Sequence, residues 1–278
     1  MRCDSHIHIV GPIEHYPQLA NRSGIMGLAE IATVRGLGAA RGISRFVIVQ
    51  PSFYGTDNSV LLHGLDALGG LGRGVAVLDA NSAKPDMLAE WDRRGVRGLR
   101  LNLYSPVGPE KSIAYDFPVL ADIAQTMNWH VEVIAPIEAL VAHANLLASA
   151  KAPVVIDHYG VYGACVPDSA GGKGLLDLLS APRVWIKLSA PYRVSANPLE
   201  TRPNPAWLAA ILAVVKARCV WGSDWPHTPP HESPGGAYRP IDYAVLVDDA
   251  VAALKAPGLA DAILQGNPAR LYGYPDSC

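Results

Sequence analysis

The sequence predicts a (β/α)8 barrel, the TIM-barrel class of α/β fold, and three observations carry that prediction. Eight short runs rich in Val, Ile and other apolar residues recur along the chain, most of them stopping at a polar or turn residue. Several are almost continuously apolar, as strands of a parallel sheet buried on both faces are. Segments with apolar residues at helical spacing separate them, so strand and helix alternate through the 278 residues.

The first strand, Cys3–Val10, leads to a helix over Met26–Ala40, where Ile31, Val34 and Leu37 fall at helical spacing. Arg45–Phe53 leads to Asn58–Leu71, with Val60, Leu61, Leu65 and Leu68 on one face. Gly74–Asp79 precedes Asp86–Arg94, Val96–Asn102 precedes Phe117–Met127, and Trp129–Ala135 precedes Ile137–Ala150. Pro153–Tyr159 precedes Gly174–Leu179, Arg183–Ala190 precedes Pro205–Ala217, and Arg218–Trp225 precedes Tyr243–Leu254. Pro205 suits a first helical turn with Asn204 as its N-cap. The tail Leu259–Cys278 reads as a short closing helix around Asn267–Leu271. An open doubly wound sheet competes, but its usual mark, a GxGxxG after a strand, is missing. No linker, charge run or repeat divides the chain, which reads as one domain over residues 1–278. The Pro/Gly-rich stretch Thr228–Pro240 is then the loop after strand eight, on the face where barrels carry their chemistry.

Composition removes whole classes of function. Half the residues are hydrophobic and 17% are charged, which excludes a disordered chain. Lys+Arg 23 against Asp+Glu 25, with no basic block, matches no row of phosphates, so nucleic acid is not expected as a partner. No apolar run reaches the ~18 residues of a membrane span. The start Met1–His6 lacks the apolar stretch of a signal peptide, so no membrane partner is expected either. Cys3, Cys165, Cys219 and Cys278 are far apart without CxxC pairing, which fits a reducing cytoplasm. A homo-oligomer is compatible with the sequence.

Chemistry concentrates at strand ends. Asp4-Ser5-His6-Ile7-His8 lies in strand one, and residues two apart in a strand face the same side. His6 and His8 therefore face together into the barrel mouth, either as a hydrogen-bonded core pair or as part of a site. His158 ends strand six and Asp224 ends strand eight, both at the end of a barrel strand where polar residues are placed for catalysis.

The HxH on strand one, the His on strand six and the Asp on strand eight resemble the amidohydrolase superfamily. The flanking runs His8–Pro12, Gln50–Asn58, Gly95–Asn102 and Trp221–Thr228 resemble the 2-pyrone-4,6-dicarboxylate lactonase group, from about His6 to Tyr272. That resemblance implies hydrolysis of a ring lactone without a metal, or isomerisation of a sugar-acid lactone. Metal-dependent members of the superfamily add a Lys, Glu or His from strand four or five. Here strand four ends Arg100-Leu101-Asn102, and Ile134 holds the mouth position of strand five. Only Glu132, one layer deeper, could complete a metal site; its alternative reading is a buried carboxylate bonded to a neighbouring His or Arg.

On this reading no cofactor is required. Asp224 takes a proton from water, and His6, His8 and His158 supply donors to the oxyanion in place of a metal. Arg100 and Arg193 would grip a substrate carboxylate bidentately. Ser52, Tyr16 and His227 are weaker candidates as donors from the loops after strands two, one and eight. Arg97 reads as an ion-pair residue. Relatives often carry Arg just after the strand-six His-Tyr-Gly, where this chain has Val161. With Ile134, this makes the pocket less polar, so a small lactone with one carboxylate competes with a dicarboxylated pyrone as substrate, and a second charge is expected to be gripped weakly. Two other readings remain open. One is an amidohydrolase or aromatic-carboxylate decarboxylase using a divalent metal such as Zn2+ on His6, His8, His158 and Asp224. The other is a non-catalytic, ligand-binding barrel.

Overall fold

The computed structural model describes residues 1–20, 24–79, 82–107, 111–230 and 236–275. Its strands are β1 (Arg2–Ile7), β2 (Ile43–Val49), β3 (Gly72–Ala76), β4 (Val96–Asn102), β5 (His130–Ile134), β6 (Val154–Ile156), β7 (Val184–Ser189) and β8 (Cys219–Gly222). They form one parallel sheet in consecutive order. The ring closes where the Asp224 N–H donates to the His6 carbonyl (2.8 Å) and the His8 N–H to the Trp225 carbonyl (2.7 Å). Closure rules out the open doubly wound alternative.

The sequence-based strands have the right number and order but overrun at their mouth ends. β1 stops at Ile7 rather than Val10, β6 at Ile156 rather than Tyr159, and β8 at Gly222 rather than Trp225. Just past these ends His158, Tyr159, Val161, Ala190, Asp224 and His227 all take positive φ, between 44° and 69°. A strand cannot run through such residues, and each left-handed non-glycine conformation costs about 1–3 kcal/mol. That cost is concentrated around the mouth.

The helices shift for local reasons. The segment Ile137–Ala150 breaks into Ile137–Ala142 and Ala144–Ala148 at His143, whose Nδ1 lies 2.9 Å from the Ala139 carbonyl. The helix expected from Met26 begins at Ile31, and that expected from Phe117 begins at Ile113 with Pro118 inside it. Ala170–Ser180 extends the expected Gly174–Leu179, because Ser169 caps it by accepting from the Gly172 N–H (3.1 Å). Asn204 caps Pro205–Val215 through its Oδ1, accepting from the N–H groups of Ala206 and Trp207. The closing helix is Asn267–Tyr272; Cys278 and residues 231–235 of the loop after β8 lie outside the described residues. Past that helix the chain plugs the barrel bottom. Tyr272 and Tyr274 pack on Cys3, Val47 and Val75, and Arg73 donates to the carbonyls of Tyr272 (3.0 Å) and Gly273 (3.1 Å).

Two features carry the strand-one histidines inward. Between Asp4 and Ile7, β1 has one residue more than its partner β2, a bulge that turns His6 inward alongside His8. On β8, a Cβ added at Gly222 would stand 2.5 Å from the His6 Cβ and 2.7 Å from its backbone nitrogen, so only glycine lets the two strands pass this close at His6. The Asp4 carboxylate fastens the junction, accepting from the N–H groups of Ser223 (2.8 Å) and His6 (3.2 Å) and from the Tyr243 hydroxyl (3.1 Å). Among the described residues no helix is long and apolar enough to cross a membrane.

Candidate active site

Four buried side chains converge at the mouth of the barrel. The Nε2 atoms of His6 and His8 are 3.3 Å apart. Asp224 Oδ1 lies 3.3 Å from His8 Nε2, 3.5 Å from His6 Nε2 and 3.9 Å from His158 Nε2. That oxygen has no hydrogen-bond partner among the described residues. Its twin is fully engaged: Oδ2 accepts from the Tyr192 hydroxyl (2.6 Å) and from Arg193 Nε (2.7 Å). The carboxylate is thus latched by one oxygen and presents the other to the three imidazoles. Burial alone would push the Asp224 carboxyl up, but the Arg193 guanidinium and the imidazoles reverse this and hold it well below the usual carboxylate range.

A second layer lies beneath. Lys187 on β7 points inward and is hydrogen-bonded to Glu132 on β5 and, at 3.1 Å, to His6 Nδ1; Asp157 Oδ1 is 3.5 Å away. All three ionic groups are fully buried. Burial would raise both acids, and Asp157 repels Glu132 as well, yet Lys187 holds Glu132 and Asp157 below their ordinary values. Glu132 is a buried, paired carboxylate, but its main partner is Lys187 rather than the His or Arg expected from the sequence.

This layer decides tautomers above it. An ammonium only donates, so His6 Nδ1 is the acceptor of the Lys187 contact. Burial and the Lys187 charge keep His6 neutral, its pKa held well below the ordinary value, so its single proton sits on Nε2, which in this structure is hydrogen-bonded to His8 Nε2 (3.3 Å). His8 is the reverse: Nδ1 donates to the Val49 carbonyl (2.7 Å). His158 Nδ1 meets the Ser189 hydroxyl (2.8 Å), which serves as donor or acceptor, and burial takes the pKa of His158 down to about 4.

The same facts test a metal. Tetrahedral zinc with bonds of ~2.0–2.1 Å holds its ligands about 3.3–3.4 Å apart, close to the spacing of His6, His8 and Asp224. Their protonation does not match. A metal-bound imidazole offers a lone pair to the ion and donates its other N–H to a carboxylate, carbonyl or water. His8 meets that requirement and His6 does not, because Lys187 forces its proton onto the nitrogen that would bind. His6, His8 and Asp224 thus have the spacing of a metal site, as do His6, Asp157 and His158, while the Lys187 contact disfavours the His6 tautomer that would bind an ion.

The pocket above is lined by His8, His158, Arg100, Arg193 and Ser52, together with Ile134 of β5. Tyr16 and His227 are not in its lining. Tyr16 packs against Gly11 and His63, and His227 is buried against the Tyr192 hydroxyl (3.3 Å). Arg100 donates to the Gln50 carbonyl (2.8 Å) and faces Asp157 at 3.6 Å, while Ser52 bonds Ser105 (3.0 Å). Arg97 pairs with Asp92 at 2.9 Å. Sequence reasoning passed over Lys187, Asp157 and Tyr192. Lys187 carried a readable signal, a lone ammonium inside the apolar run Val184–Leu188, which demands buried carboxylates. Tyr192 lies in a loop, where no periodicity marks it.

Known proteins resemble this chain along nearly its whole length. The family model described as amidohydrolase matches residues 3–274. A 4-sulfomuconolactone hydrolase of Rhizobium radiobacter is 28% identical, with 97% of this chain and 89% of the relative covered. A 2-pyrone-4,6-dicarboxylate hydrolase of Comamonas testosteroni is 26% identical over the same shares. A solved Pseudomonas putida structure, assigned provisionally as a 2-pyrone-4,6-dicarboxylic acid hydrolase, superposes with a TM-score of 0.84 at 31% identity, covering 99% of this chain and 98% of that one. A Burkholderia multivorans amidohydrolase with bound zinc shares the fold at a TM-score of 0.73 and 22% identity, covering 99% of this chain and all of that one.

Proposed function

The chain belongs to the amidohydrolase family, and from that premise we propose that it hydrolyses a small acidic lactone without a metal, using Asp224 as the base. One observation carries the reading: a carboxylate latched through Oδ2, with Oδ1 unpartnered and aimed among three imidazole nitrogens. A ligand-binding barrel has no use for such an oxygen. The relatives named above act on lactones, which supports a cyclic ester as substrate.

The chemistry follows from the protons already assigned. Water enters between His8 and His158 and loses a proton to Asp224 Oδ1 as its oxygen attacks the lactone carbonyl carbon. The developing oxyanion accepts from His6 Nε2–H, a donor fixed before the substrate arrives. The tetrahedral centre collapses, the ring C–O bond breaks, and Asp224 returns its proton to the leaving alkoxide. The product is an open-chain hydroxy acid. Arg100 and Arg193 at the pocket wall hold a substrate carboxylate.

The test is turnover of chelator-stripped protein on carboxylated lactones, 2-pyrone-4,6-dicarboxylate and muconolactone among them, followed by loss of ring absorbance. Stripped wild type should keep full activity, and Asp224→Asn should lose ~10²–10⁴ in kcat while still folding, with a melting temperature lowered by loss of the Arg193 ion pair. Loss on chelation with recovery on adding zinc, or an Asp224→Asn variant of near-normal kcat, would overturn the proposal.

A further inference from the structure

A second cavity, of about 470 Å³, adjoins the pocket and shares Tyr104, Arg193 and Pro230 with it. Its lining includes Arg239, in the stretch after β8. Arg239 is held in place by carbonyls: Nη1 donates to Pro198 (2.9 Å), Nε to Thr228 (3.3 Å), and its backbone N–H to His227 (2.8 Å). Its guanidinium carbon stands 5.1 Å from the centroid of Tyr192, and that of Arg193 stands 5.6 Å from the same ring. Two cations therefore flank one aromatic side chain at the rim of the pocket.

Their charges are not equally answered. Glu132 and Asp157 answer Lys187 and Arg100, and Asp224 answers Arg193. Among the described residues Arg239 has no carboxylate within ion-pair distance, only carbonyl oxygens. Ordering a guanidinium beside another one without a counter-ion is unfavourable unless an anion visits it. The cavity is open, walled by tyrosine and proline, and continuous with the wall that carries Arg193.

We propose that Arg239 is a specificity residue that binds a second acidic group of the substrate, so that the preferred substrate is a dianionic lactone whose acid arm reaches past Arg193 into this cavity. The inference rests on the lactone-hydrolase reading and extends it. It also revises the expectation drawn from Val161. In place of the arginine missing after β6, this chain offers one from the loop after β8. The arm's acid is a carboxylate or a sulfonate, since a guanidinium fork accepts both.

The experiment compares matched probes: a pyrone carrying two carboxylates, the same ring carrying one, and a muconolactone with and without a sulfonate. Wild type should prefer the dianion of each pair. In Arg239→Met the ratio of kcat/KM for dianion over monoanion should fall about 10–150-fold, chiefly through KM, the worth of one charge-assisted contact. Arg239→Lys, which keeps the charge and loses the fork, should fall less, and it reads the same ratio should the methionine variant not fold. The pair that shows the larger fall tells carboxylate from sulfonate. An unchanged ratio in both variants overturns the inference while leaving hydrolysis intact. If wild type turns over none of the probes, calorimetric binding of the dianions decides. Binding lost in Arg239→Met upholds the anion site while the hydrolase reading falls, and binding unchanged by the substitution refutes the site.

Discussion

Lys187→Met should raise the affinity of the site for a metal ion. The substitution removes the ammonium that contacts Glu132, Asp157 and His6 Nδ1 in the barrel interior. Breaking a buried ion pair costs about 3–5 kcal/mol, and at ~2–4 °C per kcal/mol for the larger domains the melting temperature should drop by about 6–20 °C. Against a total stability of about 5–15 kcal/mol, that leaves a folded protein in most of the range. In the variant, His6 Nδ1 has for neighbours the carboxylates of Asp157 at 3.4 Å and Glu132 at 3.7 Å. It takes its proton there and turns a lone pair toward the mouth. The oxyanion loses its pre-set donor, worth ~10²–10³ in kcat. His6, His8 and Asp224 then all present lone pairs at ligand spacing. The assays are kcat on a lactone that wild type hydrolyses, and zinc affinity by competition with a chromogenic chelator. Zinc affinity should rise as kcat falls. A variant within about threefold of wild-type kcat, with unchanged zinc affinity, would refute the tautomer argument.

Two other outcomes follow from the same contacts. Arg193→Met removes one of two donors on Asp224 Oδ2, so even an uncharged lactone should lose about tenfold in kcat, and a carboxylated one a further ~10–150-fold in kcat/KM; a loss confined to the carboxylated substrate would mean that Arg193 serves the substrate alone. Melting temperature should fall as pH drops from 6.5 to 4. Burial takes His158 and His227 from 6.5 to about 4, so their contribution, each about 3 kcal/mol, is whole above pH 6.5 and lost as the unfolded chain takes up protons below it. Burial pushes Asp4 the other way, from 3.8 to about 6, which favours the folded state as pH falls, but one carboxyl offsets only one of the two imidazoles. A melting temperature that rises between pH 6.5 and 4 would contradict this balance.

The barrel was legible because its strands are buried on both faces and so read as continuous apolar runs, and because His6 and His8 share strand parity. What periodicity could not show is where a strand stops for a reason of function. His158 and Asp224 sit in left-handed turns just beyond β6 and β8, and nothing in the apolar pattern of Val154–Ile156 or Cys219–Gly222 marks that change. Arg193 was readable as a cation near the mouth, but its bond to Asp224 joins residues 31 apart in sequence through two loops. Val161 was visible as a lost arginine. Arg239 was not visible as its replacement, because the loop after β8 has no period that would point its side chain anywhere.

The buried ions beneath the mouth explain why this division of labour exists. A layer of branched aliphatic residues would fill the barrel at least as stably as Lys187, Glu132 and Asp157 do, since a buried ion pair is often matched or bettered by apolar packing. The charges are therefore better understood by what stands on them. Lys187 fixes the proton of His6 from below, and Tyr192 with Arg193 fixes the free oxygen of Asp224 from the side. Both settings are made before any substrate enters. Arg100 and Arg239 face the substrate from strand and loop ends and touch neither His6 nor Asp224 by hydrogen bond. Changes at Arg239 should then alter which lactone is taken and leave the proton inventory of the floor untouched, whereas changes at Lys187 should slow every lactone alike.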